Sequence, residues 1–250
     1  MKKKLIILTG PTAVGKTDLS IRLARTVGGE IISADSMQVY RRMDIGTAKI
    51  RPEEMDGVRH HLIDILEPTE SFNAFLFKEY ALKAANEIWE RGSIPIIVGG
   101  TGFYIQTLLY DIEFAKSDEN DGIRDELNKL YEEHGAAFLH DMLAKVDPEY
   151  AAEVHENNVK KVIRAIEFYR QTGHRMSEHN TEQRERTSPY NFEYFVLSDD
   201  RAVLYERIDK RIDKMVEAGL IAEVQALLDE GVDRESVAMQ GLGYKEIASY

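Results

Sequence analysis

The chain has 250 residues, enough to bury a sizeable core as one large domain or two smaller ones. It contains no cysteine, which excludes disulfides, thiolate catalysis and cysteine-based zinc sites. The formal net charge of −12 argues against a general nucleic-acid binder, although a local basic patch could still bind a nucleic acid. Because there is no signal peptide and no apolar run of about 18 residues, we expect a cytoplasmic enzyme without membrane contact.

The first predicted strand, residues 5–8, leads into a phosphate-binding loop, and a helical pattern begins directly after it. The backbone N–H groups of such a loop and of the helix N-terminus bind a phosphate chain. Lys16 would reach the terminal phosphate oxygens, and the Thr17 hydroxyl could hold Mg²⁺. The sequence therefore predicts a phosphorylated ligand. The residues that match the pattern G-x-x-x-x-G-K-[ST] are Gly10, Pro11, Thr12, Ala13, Val14, Gly15, Lys16 and Thr17.

A second short strand, residues 30–34, is followed directly by Asp35, Ser36, Met37 and Gln38. Ligands of open parallel sheets bind outside the carboxyl ends of the strands, so we expect Asp35 beside the phosphate loop. Two functional roles compete for this carboxylate: reaching Mg²⁺ through water, or acting as a general base. A turn or helix N-cap aspartate is the structural alternative.

The next strand, predicted over residues 60–66, begins with two histidines that would point to opposite faces and make a poor metal pair. A helix over residues 75–91 and an apolar strand over residues 94–98 follow. That strand ends in Gly99-Gly100-Thr101-Gly102, which opens a further helix. Since glycines allow close backbone approach, this turn is a candidate second wall of an active site; a plain strand-to-helix turn is the alternative.

From residue 115 the pattern is purely helical as far as residue 173, with breaks near Gly135 and Asp147-Pro148. This predicts a helical insertion domain over residues 115–187, within a catalytic core formed by residues 1–114 and 188–250. The polar stretch 174–189 is expected to be mobile. The last helix of the insertion predicts a local basic patch, or alternatively a solvated helix face. The stretch from Val159 to Arg175 has one acid, Glu167, against the basic residues Lys160, Lys161, Arg164, Arg170 and Arg175.

The chain then returns to the sheet with a strand over residues 192–197, followed by a long helix that ends before Gly219. Arg207, Arg211 and Lys214 lie at i, i+4 and i+7 on that helix. They predict a basic stripe that clamps phosphates, with surface salt bridges as the alternative. The complete pattern predicts an α/β fold: a P-loop NTPase-like parallel sheet flanked by helices, with a helical insertion.

A phosphate loop alone leaves several nucleotide-binding classes open. A GTPase would carry a guanine-reading Asn-Lys-x-Asp, which is absent, and a motor-type ATPase would end its apolar strand in Asp where Gly99 stands here. A small-molecule kinase that uses ATP remains open.

Eight segments, taken in order, resemble the tRNA dimethylallyltransferase (tRNA isopentenyltransferase) family, and together they span the whole chain. They are the phosphate loop, ISADSMQVY (32–40), MDIGTAK (43–49), HHLID (60–64), VGGTGFY (98–104), IRAIE (163–167), RIDKR (207–211) and GLGYKE (241–246).

The resemblance implies transfer of a dimethylallyl group from dimethylallyl diphosphate to N6 of the adenine 3′ of the anticodon in tRNA, releasing diphosphate. The loop would then hold the diphosphate of the prenyl donor and not ATP. Asp35 would be the general base, Thr101 would position the adenine, and Arg211 with Mg²⁺ on Thr17 would stabilise the leaving diphosphate. Implied contacts with tRNA are Asp35, Ser36, Met37, Gln38, Thr101, Arg124, Lys160, Lys161 and Arg164.

The family's chains usually continue past the position of Tyr250 into a basic helical segment, so we expect a piece of a longer, monomeric protein. Two further hypotheses make different predictions. A relative that prenylates free adenine nucleotides would lack the insertion, and a nucleotide-dependent binding module would bind tRNA without forming a product.

Overall fold

The computed structural model describes residues 2–112 and 122–250. The chain divides into two compact units, the first formed by Met1–Asp111 with Ser188–Tyr250 and the second by Ile112–Thr187. The predicted boundary between residues 187 and 188 coincides with this division. The other predicted boundary, between residues 114 and 115, lies outside the described residues.

The first unit contains a five-stranded sheet in which all neighbouring strands are parallel, in the order β3-β2-β4-β1-β5. The central strands are apolar because helices cover both faces of a parallel sheet, and Ile7, Ile96 and Ile97 are fully buried. The predicted α/β fold is confirmed. The strands are β1 (Lys4–Thr9), β2 (Gly29–Ser33), β3 (His60–His61), β4 (Ile94–Gly99) and β5 (Asn191–Val196).

Strand β3 is much shorter than the sequence predicts. Leu62 and Asp64 have positive φ angles of 64° and 54°, which end the extended conformation after two residues. The prediction of a strand over residues 60–66 is therefore wrong in length. The two histidines do have separate partners, since His60 Nδ1 lies 2.9 Å from the Val58 carbonyl and His61 Nε2 lies 2.8 Å from Glu30.

Three helices follow the strands in the first half of the chain. Helix α1 starts at the end of the phosphate loop and stops at Gly28, whose φ is 65°. Asn73 caps helix α2 by accepting a hydrogen bond from the backbone N–H of Leu76 at 3.0 Å. The helices are α1 (Lys16–Val27), α2 (Ala74–Glu90) and α3 (Gly102–Leu109).

The second unit is helical over its described residues, as predicted, with its own apolar core around Leu139, Leu143 and Val162. Gly135 interrupts the first helix with φ 82° and ψ 178°, and Asp147 ends it. Both breaks lie where the sequence predicts them. The helices are α4 (Ile123–Val146), α5 (Pro148–Glu153), α6 (Val159–Thr172) and α7 (Met176–Glu185).

Helix α7 lies in the polar stretch for which the sequence predicts a mobile segment. Polar contacts hold it, because the backbone N–H and the hydroxyl of Ser177 donate to the buried Asp147 carboxylate at 2.9 and 2.7 Å. Asp147 also caps α5 through the backbone N–H of Tyr150 at 3.1 Å. A helix anchored by a carboxylate needs no apolar stripe, so the hydrophobic pattern misses it.

The chain ends in the first unit with helices α8 (Arg201–Glu217), α9 (Leu220–Asp229) and α10 (Tyr244–Ala248). Gly219, with φ 102°, separates α8 from α9. None of the helices within residues 2–112 and 122–250 has the length and apolar character needed to cross a membrane.

Candidate active site

Three neighbouring strands end side by side at the carboxyl edge of the sheet. Strand β1 leads into the phosphate loop, β4 into the glycine turn at Gly99, and β2 into Asp35. Thr9 is paired with Gly99, and the backbone N–H of Thr101 donates to the Ala34 carbonyl at 3.4 Å. The sheet therefore brings together the phosphate loop, the Asp35 segment and the glycine turn, the three segments in which the sequence predicts site residues.

The phosphate loop has the backbone conformation of an anion-binding turn. Gly10, Ala13 and Gly15 have positive φ angles of 151°, 64° and 89°. At Gly10 a side chain is also excluded by space, because a Cβ atom would lie 2.5 Å from the Leu197 carbonyl oxygen. Successive tight turns of this kind, joined to a helix N-terminus, expose the backbone N–H donors that bind phosphate.

Lys16 folds back over this loop, with Nζ donating to the carbonyls of Gly10 at 2.9 Å and Pro11 at 2.7 Å. Burial lowers the pKa of the Lys16 ammonium; Asp35 opposes this shift, and Arg211 adds to it. Burial also lowers the pKa of Arg211, again opposed by Asp35. Two partly desolvated cations thus share one carboxylate, and such an excess of positive charge suits an anion with several negative charges.

Helix α8 supports the loop through a second arginine. Arg207 donates to the Ala13 carbonyl at 3.4 Å and forms an ion pair with Asp199 at 2.9 Å. Of the predicted basic stripe, Arg211 is half-buried at the site, Arg207 contacts the loop and Lys214 is exposed.

Asp35 forms a turn of its own, since its Oδ1 accepts the backbone N–H groups of Met37 at 2.8 Å and Gln38 at 3.3 Å. The turn role therefore occupies one oxygen, and Oδ2 is the atom that can take a proton or reach a metal through water. Gln38 is held in turn, because its Nε2 donates to the Thr47 carbonyl at 3.2 Å and its Oε1 accepts from the Ser33 hydroxyl at 3.4 Å.

Thr101 lies directly before α3, and its hydroxyl makes no capping hydrogen bond to the helix. One turn later the Tyr104 ring is buried, stacked on Phe77 with ring centroids 4.9 Å apart. Burial raises the pKa of Tyr104, and the Asp35 charge raises it further. The Thr101 backbone is thus bonded to the residue before Asp35, although Thr101 itself does not line the pocket that contains Asp35.

A pocket lies between the loop, β2 and the Asp35 turn, and it contains His60, which the sequence marks only as one of two adjacent histidines that make a poor metal pair. Burial lowers the pKa of His60, which favours the neutral imidazole. In the sequence, only the position of His60 at the start of a strand indicates a special role. The hydrophobic periodicity does not place His60 in the site. The pocket is lined by Lys16, Thr17, Ser20, Ile31, Ser33, Asp35, Gln38, Ala48, Ile50, His60, Ile63, Val98 and Gly99.

The residues at this site fit a Mg²⁺ ion whose ligands come partly from the protein and partly from a bound substrate. Thr17 and Asp35 line the same pocket and offer hydroxyl and carboxylate oxygens, the ligand type that Mg²⁺ prefers. Across residues 2–112 and 122–250, no group of three His, Cys, Asp or Glu side chains could hold a metal alone. Mg²⁺ bound here would therefore need phosphate oxygens or water as its remaining ligands.

In the second unit the predicted basic patch is partly neutralised. Arg124 and Arg164 both pair with the buried Glu167 carboxylate, at 2.5 and 3.2 Å. Lys160 and Lys161 are exposed and form no ion pair with any residue that the structure describes. Arg170 pairs with Glu126 at 3.1 Å, and Arg175 is exposed like the two lysines. The accessible charges of the patch are thus Lys160, Lys161 and Arg175, while Glu167 holds the guanidinium groups of Arg124 and Arg164 in place.

Comparison with known proteins identifies relatives over nearly the whole chain. Residues 38–250 match the family model described as IPP transferase. The chain is 58% identical over 246 residues to the tRNA dimethylallyltransferase of Lachnoclostridium phytofermentans, covering 98% of this chain and 79% of that protein. It is 50% identical over 250 residues to the enzyme of the same name from Carboxydothermus hydrogenoformans, covering 100% and 80%.

Solved structures with a similar fold come from proteins of the same kind. The full-length tRNA isopentenylpyrophosphate transferase from Bacillus halodurans is 46% identical, with a TM-score of 0.71, covering 100% of this chain and 77% of that one. A eukaryotic dimethylallyltransferase acting on tRNA is 33% identical, with a TM-score of 0.89, covering 99% of this chain and 63% of that one. By sequence and by fold, this chain belongs to the IPP transferase family of prenyl-transferring enzymes.

Proposed function

We propose that this chain transfers the dimethylallyl group of dimethylallyl diphosphate to N6 of the adenine 3′ of the anticodon in tRNA, releasing diphosphate. The observation that carries the proposal is the convergence of Lys16, Arg211 and Asp35 at one sheet edge, two partly buried cations and one carboxylate. The tRNA-directed names of the relatives supply the acceptor.

On the donor side, the loop amides, Lys16 and Arg211 bind the diphosphate. Negative charge grows on the diphosphate as its bond to the prenyl carbon breaks, so fixed donors there stabilise the transition state more than the ground state. Thr17 would hold Mg²⁺, which when bound adds further positive charge on the leaving group.

On the acceptor side, Asp35 Oδ2 takes a proton from N6 while N6 forms its bond to the prenyl carbon and diphosphate departs. Asp35 Oδ1 stays on the backbone of Met37 and Gln38, which fixes the direction of Oδ2. The Thr101 hydroxyl positions the adenine, and Ser36, Met37 and Gln38 read the base edge. The adenine leaves its stack to reach these residues, which costs least in a single-stranded loop.

The helical second unit binds the anticodon stem. Lys160 and Lys161 neutralise phosphates, and Arg124 and Arg164, oriented by Glu167, add planar donors that suit phosphate oxygens. The protein acts as a monomer in the cytoplasm, where its tRNA substrate is found.

The test compares two donors on one RNA. An anticodon stem-loop is incubated with the chain, Mg²⁺ and either radiolabelled dimethylallyl diphosphate or ATP labelled on its terminal phosphate. We expect prenyl label in the RNA and a loss of at least about 100-fold in Asp35→Asn, the range for removing a general base. Turnover of ATP without prenyl transfer would overturn the proposal in favour of a kinase.

A further inference from the structure

The side of the site formed by residues 35–48 is fastened to the end of the chain by one carboxylate. Glu223, on α9, accepts the backbone N–H groups of Asp44 at 3.0 Å, Ile45 at 2.9 Å and Gly46 at 3.2 Å. It also accepts the hydroxyl of Tyr244, on α10. Four donors on one carboxylate, three of them consecutive backbone amides, fix the loop at residues 44–46 strongly, because hydrogen bonds to a charged acceptor are the stronger kind.

The loop packs closely against Tyr244 next to this carboxylate. Tyr244 is 1% exposed, and burial followed by its bond to Glu223 raises the pKa of its hydroxyl. Gly46 lies against the ring so closely that a Cβ atom would be 2.5 Å from Tyr244 Cε2. The C-terminal helices and the loop are thus fitted to each other.

From this loop, hydrogen bonds lead to the proposed general base. The Thr47 carbonyl accepts Gln38 Nε2 at 3.2 Å, and the backbone N–H of Gln38 donates to Asp35 Oδ1 at 3.3 Å. A second contact reaches the same turn, because Gly241 packs against Met37, where a Cβ atom would lie 2.8 Å from Sδ. Glu223 itself lines no part of the pocket that contains Asp35 and Gln38.

We propose that Glu223, with Tyr244, is a positioning residue for the acceptor half of the reaction: it orients Gln38 and Asp35 toward the adenine by holding the loop at residues 44–46. The inference rests on the proposed function. It assigns to α9 and α10 a role in positioning the general base. The phosphate loop keeps its affinity for diphosphate, because none of the hydrogen bonds of Glu223 described above reaches it.

The first measurement is independent of activity: hydrogen exchange of individual backbone amides in wild type and Glu223→Gln. The amide group of Gln cannot accept all four donors, so exchange at residues 44–46 becomes faster. If Glu223 also positions the base, exchange at Met37 and Gln38 becomes faster too. A purely local structural role predicts faster exchange at residues 44–46 alone, and that result would overturn the proposal.

The second measurement separates the effects on the two substrates. We expect Glu223→Gln to lower kcat/KM for the stem-loop about tenfold and to change the Kd of inorganic diphosphate less than twofold. The matched control is Glu246→Gln, since Glu246 lies on α10 and accepts the backbone N–H of Gly243, directly before this helix, at 2.7 Å and not those of residues 44–46. An equal decrease of kcat/KM in Glu246→Gln and in Glu223→Gln would contradict the positioning role.

A double-mutant cycle completes the test. If Glu223 acts through Gln38, then Glu223→Gln has little further effect in a Gln38→Ala background, so the two losses are strongly non-additive. Additive losses would overturn the proposal. The outcomes also distinguish the two claims: wild type that transfers no prenyl group contradicts the proposed function, whereas active wild type with additive losses contradicts only the role of Glu223.

Discussion

Gly99, the last residue of β4, allows the ends of β2 and β4 to approach closely at the active site. A Cβ atom at this position would lie 2.3 Å from the Ala34 carbonyl oxygen and 2.5 Å from the Ala34 carbonyl carbon. These neighbours are backbone atoms and cannot rotate away. Gly99→Ala must therefore push apart the two strand ends that present Asp35 and Thr101.

The size of this displacement follows from the distances. Ordinary contact begins at 3.4 Å, so the Ala34 carbonyl must move by about 1.1 Å, and its 3.4 Å bond from the Thr101 backbone N–H is lost. Overpacking and the lost bond together cost about 2–3 kcal/mol, a decrease in Tm of roughly 4–12 °C for a unit of this size. A misplacement of about 1 Å at reacting groups lowers the rate by about 100-fold.

The control lies at the other end of the same strand pair. In Gly29→Ala the new Cβ atom would be 2.7 Å from the Ile94 carbonyl oxygen, also a backbone clash, but far along β2 from Asp35. We expect a similar decrease in Tm, measured by calorimetry, with transfer activity within about threefold of wild type at a temperature well below Tm. Equal losses of activity in the two variants, or normal activity in folded Gly99→Ala, would contradict the proposed effect of Gly99 on the spacing of Asp35 and Thr101.

Three further predictions concern charge and burial. Burial lowers the pKa of Lys16, so this side chain loses its charge at a lower pH than an ordinary lysine does. We therefore expect the Kd of inorganic diphosphate, measured by calorimetric titration, to rise as the pH is raised. In Lys16→Arg the same rise occurs only at a higher pH. The Tyr40 hydroxyl is buried beside the Phe72 backbone and makes no hydrogen bond of normal geometry to any described residue, so Tyr40→Phe raises the free energy of unfolding by about 1 kcal/mol. The pKa of the Tyr40 hydroxyl is raised to about 12, so between about pH 10 and 12 this tyrosine is ionised in the unfolded chain but not in the folded one. The wild-type protein therefore loses stability over that pH range, and thermal melts of Tyr40→Phe show a smaller loss. Lys160→Ala with Lys161→Ala weakens stem-loop binding and reduces the salt slope by roughly 1.5, whereas an unchanged slope would remove these lysines from the interface.

The sheet and the phosphate loop could be predicted because their signals are local. A short apolar strand, glycines at the turns and a helix start lie within a few residues of each other, and positive φ at Gly10 and Gly15 makes those glycines necessary. The juxtaposition of Asp35 with the loop could also be predicted, since parallel strands end at a common edge.

Other features depend on contacts that are distant in sequence. Leu62 and Asp64 look compatible with a strand, and their left-handed conformations are not signalled by a glycine. Helix α7 has no apolar stripe beyond its first residue, Met176, and it is anchored to Asp147, thirty residues before Ser177. Glu223 looks like an ordinary acid on a helix, and its bonds to residues 44–46 appear only once the fold is known.

The most direct test of the account uses tRNA in which the site of modification can be changed. The chain is incubated with dimethylallyl diphosphate, Mg²⁺ and either a normal transcript or one with guanine in place of the adenine 3′ of the anticodon. Mass spectrometry of nuclease digests then locates the product. We expect one added dimethylallyl group on that adenine and none on the guanine transcript. A prenyl group elsewhere in the RNA, or ATP consumption with unmodified RNA, would contradict it.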